Sequence, residues 1–109
     1  MKKRRDIGSF WFQLTQNGNL IGEFIDNVKS NVFTESADRK KGMPSNFIGI
    51  FDSTWLESRQ AIKMELNIQP GGYQIFELRW LAENRIRYYG EAFLSGDGKL
   101  TGTYWVAGE

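Results

Sequence analysis

The chain contains no cysteine and no histidine among its 109 residues. Without cysteine there can be no disulfide, no thiolate nucleophile and no zinc–thiolate centre. Without histidine the commonest general base and the commonest transition-metal ligand are both missing. Because whole classes of reaction need these groups, we expect a protein that is not an enzyme and that uses no cofactor.

Long hydrophobic runs are also lacking. The opening, Met1–Asp6, has the basic character of a signal-peptide start, but only short apolar stretches broken by Gln13, Gln16 and Asn17 follow it. A membrane span needs about 18 consecutive apolar residues, and no such run occurs. We therefore expect no membrane span and a cytoplasmic location. Residues 1–6 are expected to form a solvated basic tail, and a contact of their basic side chains with phosphate or acidic lipid is the alternative.

The length allows one domain, residues 1–109, with a single core that buries roughly two-thirds of the unfolded surface. Charged residues make up 25% and hydrophobic residues 40%, both ordinary for a globular protein, whereas aromatic residues are abundant at 15%. Aromatic side chains are typical of strands, where they pack against rings on the neighbouring strand. The composition therefore favours a folded, strand-rich domain.

Four short turn sequences share one pattern, a three-residue loop that has glycine in third place in all but the last: Gln16-Asn17-Gly18, Pro70-Gly71-Gly72, Gly96-Asp97-Gly98 and Glu83-Asn84-Arg85. A type I turn followed by a left-handed residue closes such a hairpin, and glycine adopts that conformation without a steric clash. When the loop has an odd number of residues, the cross-strand partners on its two strands have sequence numbers that are both even or both odd. The four turns therefore predict consecutive antiparallel hairpins.

Sequence parity then identifies one buried face. Every even-numbered position from Ile62 to Val106 is uncharged, and a slip of one residue would place charges on that face. In the first hairpin, one face likewise pairs Phe10, Phe12 and Leu14 with Leu20, Gly22 and Phe24. The pattern is that of an antiparallel meander with one buried side.

We predict strands at 8–15, 20–27, 47–55, 60–69, 73–82, 86–95 and 99–106, with a short edge strand at 31–35. The polar segment 29–46 is the one long loop, and the facing of residues 47–56 stays open because both parities carry large apolar side chains. The fold class is thus all-β, an up-and-down antiparallel meander of seven or eight strands. Closure into a small barrel removes exposed edges, and an open, strongly curled sheet is the alternative.

The segment Ser95–Trp105 resembles the glycine turn and following strand of small lipocalin-like and avidin-like barrels, the calycin type. The hairpin formed by Tyr73–Ala82 and Arg85–Leu94 is similar to small bacterial lipocalin-like domains of unassigned function. The resemblance implies a lipocalin-like barrel that holds a small ligand in its lumen. It identifies no biotin-binding residue.

The lumen has two interpretations. A barrel of about eight strands either fills with side chains or holds one small ligand. Gly90 and Gly102 are expected opposite Leu78 and Ala92, where they either relieve strain beneath large rings or leave space for a ligand. The candidate ligand-binding residues are Trp80, Tyr88, Tyr104, Gln74, Phe76, Phe12 and Phe24.

The outer face carries carboxylates. The predicted registers place Glu65, Glu77 and Glu91 side by side on three strands, with Lys63 and Arg79 in the next row. This row is either a charge-alternating surface or a site for a hard cation, and we favour the surface and expect no metal. A carboxylate-based enzyme would be a third interpretation of the same row.

The outer face also carries aromatic residues, Trp11, Tyr89, Phe93 and Trp105. Rings interleaved with basic residues can bind single-stranded nucleic acid, but the glutamate row crosses this surface and disfavours it. Exposed rings more often mark a protein partner or a dimer interface. Our main hypothesis is a non-enzymatic domain that binds a small apolar or amphipathic molecule in the lumen, with a protein-interaction or homodimerisation module as the alternative.

Overall fold

The computed structural model describes residues 7–28 and 31–108, so the basic tail predicted for residues 1–6 lies outside the described residues. Eight antiparallel strands follow one another around a closed barrel: β1 (Ile7–Leu14), β2 (Leu20–Asp26), β3 (Phe33–Lys41), β4 (Gly49–Glu57), β5 (Gln60–Gly72), β6 (Ile75–Ala82), β7 (Arg85–Leu94) and β8 (Leu100–Val106). Pairing of β1 with β8 closes the sheet, with Gly8 opposite Tyr104. The predicted all-β, up-and-down barrel is confirmed.

Two of the four predicted turns are confirmed. The β1–β2 turn is the three-residue loop ending at Gly18, whose φ is 82°, and the β7–β8 turn is the loop ending at Gly98, whose φ is 83°. Each stands in the left-handed region that favours glycine. In addition, a Cβ at Gly18 would lie 2.4 Å from Cβ of Pro44, so glycine also lets this turn pack against the β3–β4 connection.

The other two predictions are wrong: both turns are two-residue loops, and the first lies beyond the predicted Pro70-Gly71-Gly72, which belongs to β5. Residues Tyr73-Gln74 join β5 to β6, and residues Glu83-Asn84 join β6 to β7. At Glu83 and Asn84 φ is 54° and 63°, the pair of positive values that a two-residue type I′ turn requires. A register shift in each hairpin, at 70–72 and at 80–81, restores the even parity of the buried face.

The long loop predicted for residues 29–46 is also wrong, because half of it is strand β3, Phe33–Lys41, and the edge strand predicted at 31–35 covers only the start of that strand. The inward positions of this strand are Phe33, Glu35 and Ala37, all buried, while the intervening residues are exposed. The alternation is regular, but a carboxylate and a small side chain occupy two of the three inward positions. The hydrophobic signal of a strand is therefore nearly absent.

In residues 47–56, whose facing the sequence left open, the odd-numbered positions face the core. Phe47, Phe51, Ser53 and Trp55 are buried, whereas Ile48 points outward and is exposed. One half of the lumen, here called the packed half, is filled by the largest fully buried apolar side chains. These are Phe12, Leu20, Phe51, Leu66, Leu78 and Leu100.

Arg39 donates hydrogen bonds to the loops at the end of the barrel next to the packed half. Its Nε donates to the carbonyl of Gly18 at 2.8 Å, and its two terminal nitrogens donate to the carbonyls of Ile48 and Asn46 at 3.0 and 2.5 Å. The guanidinium lies over the Phe51 ring, 4.6 Å from its centroid. One side chain therefore ties β3, the β1–β2 turn and the β3–β4 connection together, and this end of the lumen is covered.

Candidate functional site: an acidic cavity at the open end

The opposite half of the lumen, here called the cavity half, contains a partly open cavity of about 40 Å³. It lies toward the end of the barrel where β2 ends at Asp26 and β4 ends at Glu57. Six aromatic residues and three acidic residues line it: Phe10, Phe24, Trp55, Trp80, Tyr88, Tyr104, Asp26, Glu35 and Glu57. Rings and carboxyl groups therefore wall the cavity half, with no aliphatic side chain among the lining residues that the structure describes.

Glu35 is the most unusual of these residues because only 3% of it is exposed. It takes the central inward position of β3, opposite Gly22 on β2 and Trp55 on β4. The pleat of the strand, in which alternate side chains face the lumen, puts the carboxyl group inside the barrel. Burial of such a group is costly unless hydrogen bonds compensate it.

Two donors reach the same oxygen of Glu35. The Ser53 hydroxyl and Nε1 of Trp80 both donate to Oε2, the indole at 2.9 Å. The other oxygen, Oε1, accepts no hydrogen bond from the part of the chain that the structure describes. Because Glu35 lines the cavity, Oε1 is the oxygen available to a molecule bound there.

Burial raises the pKa of Glu35 from 4.5 to about 7, although the hydrogen bonds from Ser53 and Trp80 act in the opposite direction. Desolvation disfavours the charged carboxylate, and the two donors recover only part of that loss. The carboxyl group therefore changes charge near neutral pH, where most glutamates are fully ionised.

The rings around Glu35 meet mostly edge to face. Trp80 contacts Phe10 at a centroid distance of 5.7 Å and Tyr104 at 6.1 Å, and Phe24 contacts Trp55 at 5.5 Å. A Cβ at Gly90 would lie 3.0 Å from the Trp80 ring, so this glycine allows the indole to lie against β7. Gly90 is therefore covered by a ring, and the empty space lies beside Glu35.

The other two carboxyl groups stand at strand ends near the cavity opening. Asp26 accepts a hydrogen bond from the backbone N–H of Val28 at 2.9 Å. Glu57 accepts one from Nε1 of Trp55 at 3.0 Å. Each of the two indoles that line the cavity thus donates its N–H to a carboxyl group of the same cavity.

Four of the predicted lumen residues line the cavity, namely Phe24, Trp80, Tyr88 and Tyr104. Three do not. Phe12 is buried in the packed half, Phe76 is half-buried against the core, and Gln74 is an exposed residue of the β5–β6 turn. The hydroxyl of Tyr104, one of the four, donates to the carbonyl of Ile25 at 3.1 Å.

Five lining residues were missed, namely Phe10, Asp26, Glu35, Trp55 and Glu57. The sequence feature that indicates Glu35 is the alternation within β3, where the odd positions Phe33, Glu35 and Ala37 are separated by polar residues. A carboxylate between two inward apolar residues would then have indicated a buried acid.

The predicted row of three glutamates is wrong. Glu77 lies opposite Glu91, as expected, but Glu65 lies opposite Asp52 and Leu81 because the β5–β6 register is shifted. Nζ of Lys40 is 3.1 Å from the Glu65 carboxylate. Within residues 7–28 and 31–108 the structure contains no cluster of three or more carboxylates that could hold a metal ion.

The aromatic residues of the outer face form two small contacts. Tyr89 and Trp105 stack at a centroid distance of 6.4 Å, and Nζ of Lys99 lies 4.4 Å from the centroid of Trp11. Phe93, in contrast, is 55% exposed. The homodimer or partner surface on this face stays a prediction.

Comparison of the chain with protein-family models, with curated proteins and with solved structures gave no match. Among the described residues, no helix has the length and apolar character needed to cross a membrane. Fold and cavity together define the class: an eight-stranded, up-and-down antiparallel β-barrel with a buried glutamate in its lumen.

Proposed function

We propose that this protein is a non-enzymatic, lipocalin-like domain that binds a small amphipathic molecule in the cavity half of its barrel. The observation that carries the proposal is the contrast between a filled packed half and a cavity of about 40 Å³ beside a buried carboxyl group. A site of this kind, mostly apolar with a few polar groups, is the usual form of a small-molecule pocket. The cytoplasmic location expected from the sequence stays a prediction.

The buried carboxyl group supports a binding role because it is unfavourable for stability alone. Replacing buried ionisable groups by apolar ones of similar size is often neutral or stabilising. Retaining Glu35 inside the barrel is therefore more readily explained by recognition of a ligand than by packing. The rings of Trp55 and Trp80 supply the apolar contact that an amphipathic molecule needs.

The size of the cavity limits what it can enclose. One water-sized group needs roughly 10–15 Å³ of such space, so about three or four non-hydrogen atoms fit inside. A larger ligand would place its remaining atoms at the opening, near Asp26 and Glu57.

An NMR titration tests the proposal directly. The ¹⁵N-labelled protein is titrated with small amines, alcohols and carboxylates of four to eight carbon atoms, and the indole N–H signals of Trp55 and Trp80 are followed. We expect saturable shifts of both signals with at least one compound class. The absence of saturable shifts with every class would contradict the proposed function.

A matched pair of variants locates the site. Tyr88→Trp enlarges a side chain that lines the cavity, whereas Tyr89→Trp makes the same change on the opposite face of β7, where Tyr89 stacks on Trp105. We expect the first variant to weaken binding and the second to leave it unchanged. Equal effects would place the binding site elsewhere.

Acid–base catalysis is the second candidate function, and the raised pKa of Glu35 favours it. A buried glutamate whose pKa is near 7 suits a general acid. The two functions are distinguished by the fate of the bound compound, because a binding domain releases it unchanged. We expect the NMR spectrum of each ligand to stay constant over days of incubation, and protein-dependent conversion would favour the enzyme.

A further inference from the structure

The described residues that line the cavity carry charge of one sign only. Three of its nine lining residues are acidic and, within the described part of the chain, none is basic. The three acids come from three neighbouring strands, Asp26 from β2, Glu35 from β3 and Glu57 from β4. Carboxylates grouped in a low-dielectric cleft attract cations and repel anions.

The buried carboxyl group offers a directional contact for a donor. Oε2 of Glu35 already accepts from Ser53 and Trp80, so Oε1 is the site for a further hydrogen bond. An ammonium group has only donors and suits the ionised carboxylate, whereas a carboxylate ligand has only acceptors and would face an ionised Oε1 without a proton between them. A charge-assisted bond to ammonium is also stronger than one to a neutral hydroxyl.

The rings favour the same kind of ligand. Aromatic faces attract cations, and the attraction grows when water is excluded. The rings of Trp80, Tyr104 and Phe24 are linked by centroid distances of 6.1 and 5.9 Å, so they form a continuous aromatic wall. An organic cation can place its charged head against Glu35 and its carbon atoms against this wall.

From these three features we propose that the cavity binds a primary organic ammonium compound, whose charged head donates a hydrogen bond to Oε1 of Glu35 while its carbon chain contacts the aromatic wall. This inference rests on the proposed function, because it names the ligand class of the same cavity.

Binding should then depend on pH through Glu35. A cation pairs with the ionised carboxylate, so the protein must release the proton of Glu35 when binding occurs below about pH 7. Among the described residues, the other titratable groups that line the cavity are Asp26 on β2, Glu57 on β4, Tyr88 on β7 and Tyr104 on β8. We expect affinity for the ammonium compound to rise between pH 5.5 and pH 7.5 by about tenfold for each unit well below pH 7 and to level off above it.

The test compares three compounds that have the same carbon chain and different head-group charge: butylammonium, 1-butanol and butyrate. Dissociation constants are measured by NMR titration at constant ionic strength for the wild type, for Glu35→Gln and for Glu91→Gln. Glu91 is exposed on the outer face, so its substitution removes the same charge from the protein without touching the cavity. Folding of each variant is checked from its ¹⁵N spectrum.

We expect the wild type to bind butylammonium at least about tenfold more tightly than butanol, which corresponds to about 1.4 kcal/mol. Butyrate should bind least. Glu35→Gln should lower the affinity for butylammonium to that for butanol, and Glu91→Gln should leave the preference intact.

Two results would overturn the inference and leave the proposed function standing: binding of butanol or butyrate as tightly as butylammonium, or an unchanged preference in Glu35→Gln. If no butyl compound binds and no other class binds either, the proposed function fails as well. If Glu35→Gln does not fold, the pH profile of the wild type decides, because affinity for butylammonium that is constant between pH 5.5 and pH 7.5 contradicts the role of Glu35.

Discussion

The packed half and the cavity half are built from the same eight strands, but their inward positions carry different chemistry. The packed half uses mainly aliphatic side chains such as Leu20, Leu78 and Leu100, which interdigitate and leave no access to solvent. The cavity half uses large planar rings that meet edge to face, and its central inward position on β3 is Glu35. A barrel can thus obtain its stability from one half and leave the other half for recognition.

The largest effect should come from placing a charge in the packed half. Leu78 is 1% exposed, so Leu78→Asp would bury an unpaired carboxylate in the apolar core. Burial of an unpaired charge belongs to the small group of changes that cost more than about 4 kcal/mol, a large part of the roughly 5–15 kcal/mol that stabilises an ordinary domain. We expect the variant to be unfolded by circular dichroism.

Leu56→Asp is the matched control, because Leu56 is 64% exposed. It should retain a cooperative thermal transition. A similar transition in Leu78→Asp would mean that the two halves do not differ as described.

The next effect concerns the charge that the cavity half already contains. The pKa of Glu35 is raised from 4.5 to about 7, so between these values the folded state holds a proton that the unfolded state has released. Stability should therefore fall as pH rises from 4.5 to about 7 and stay level above it, with a loss of about 3 kcal/mol from this group.

The measurement is the free energy of unfolding from pH 4 to pH 8 for the wild type and for Glu35→Gln. The difference between the two isolates Glu35 from the other carboxylates, whose contributions cancel. We expect Glu35→Gln to be the more stable protein above pH 7, while Glu91→Gln should follow the wild type. A pH-independent difference would show that the pKa of Glu35 is the same in the folded and the unfolded protein.

The smallest of the three effects concerns the cover of the packed half. Arg39→Met keeps the aliphatic stem and removes three hydrogen bonds to carbonyls, and we expect a loss of about 2 kcal/mol. Arg39→Lys should recover only part of it, because an ammonium group cannot span the same three acceptors. Arg79→Met is the control, because the ion pair between Arg79 and Glu77 is exposed and long, at 3.9 Å, and its loss should cost little stability.

Hydrogen exchange can then show where the Arg39 change acts. Amide protection should fall in the 42–48 connection and stay constant in β7 around Tyr88, in the cavity half. An equal loss of protection in both places would mean that the two ends of the barrel are coupled.

Much of the fold could be predicted from sequence because parity is a strong signal where inward residues are apolar. The pairs formed by Gly90 with Leu78 and with Tyr104 follow directly from the even face. The turn at 83–84 could not be distinguished from a three-residue loop, since Asn84 adopts a left-handed conformation without being glycine. In a hairpin with a two-residue turn, the even positions of both strands stay on the buried face only because the register shifts, and no residue pattern in the sequence indicates that shift.

The candidate site was predicted in part, and the missing part has a physical cause. Phe24, Trp80, Tyr88 and Tyr104 were found because they are large and lie at inward positions. Glu35 was missed because it takes the place of an apolar residue in β3, so the alternation of that strand is regular in position but weak in hydrophobicity. Its partner Trp80 lies on β6, and only closure of the barrel brings the two strands to face each other across the lumen.

The pairing of β1 with β8, in which Ile7 lies opposite Trp105, also bears on how the protein is made. The ladder that closes the barrel joins its first and last strands, so it is the contact of longest sequence separation and the slowest to form. A nascent chain on the ribosome exposes two unpaired sheet edges until β8 has emerged, and such edges are prone to pair with other chains. Protection from aggregation during synthesis therefore depends on the last strand of the barrel.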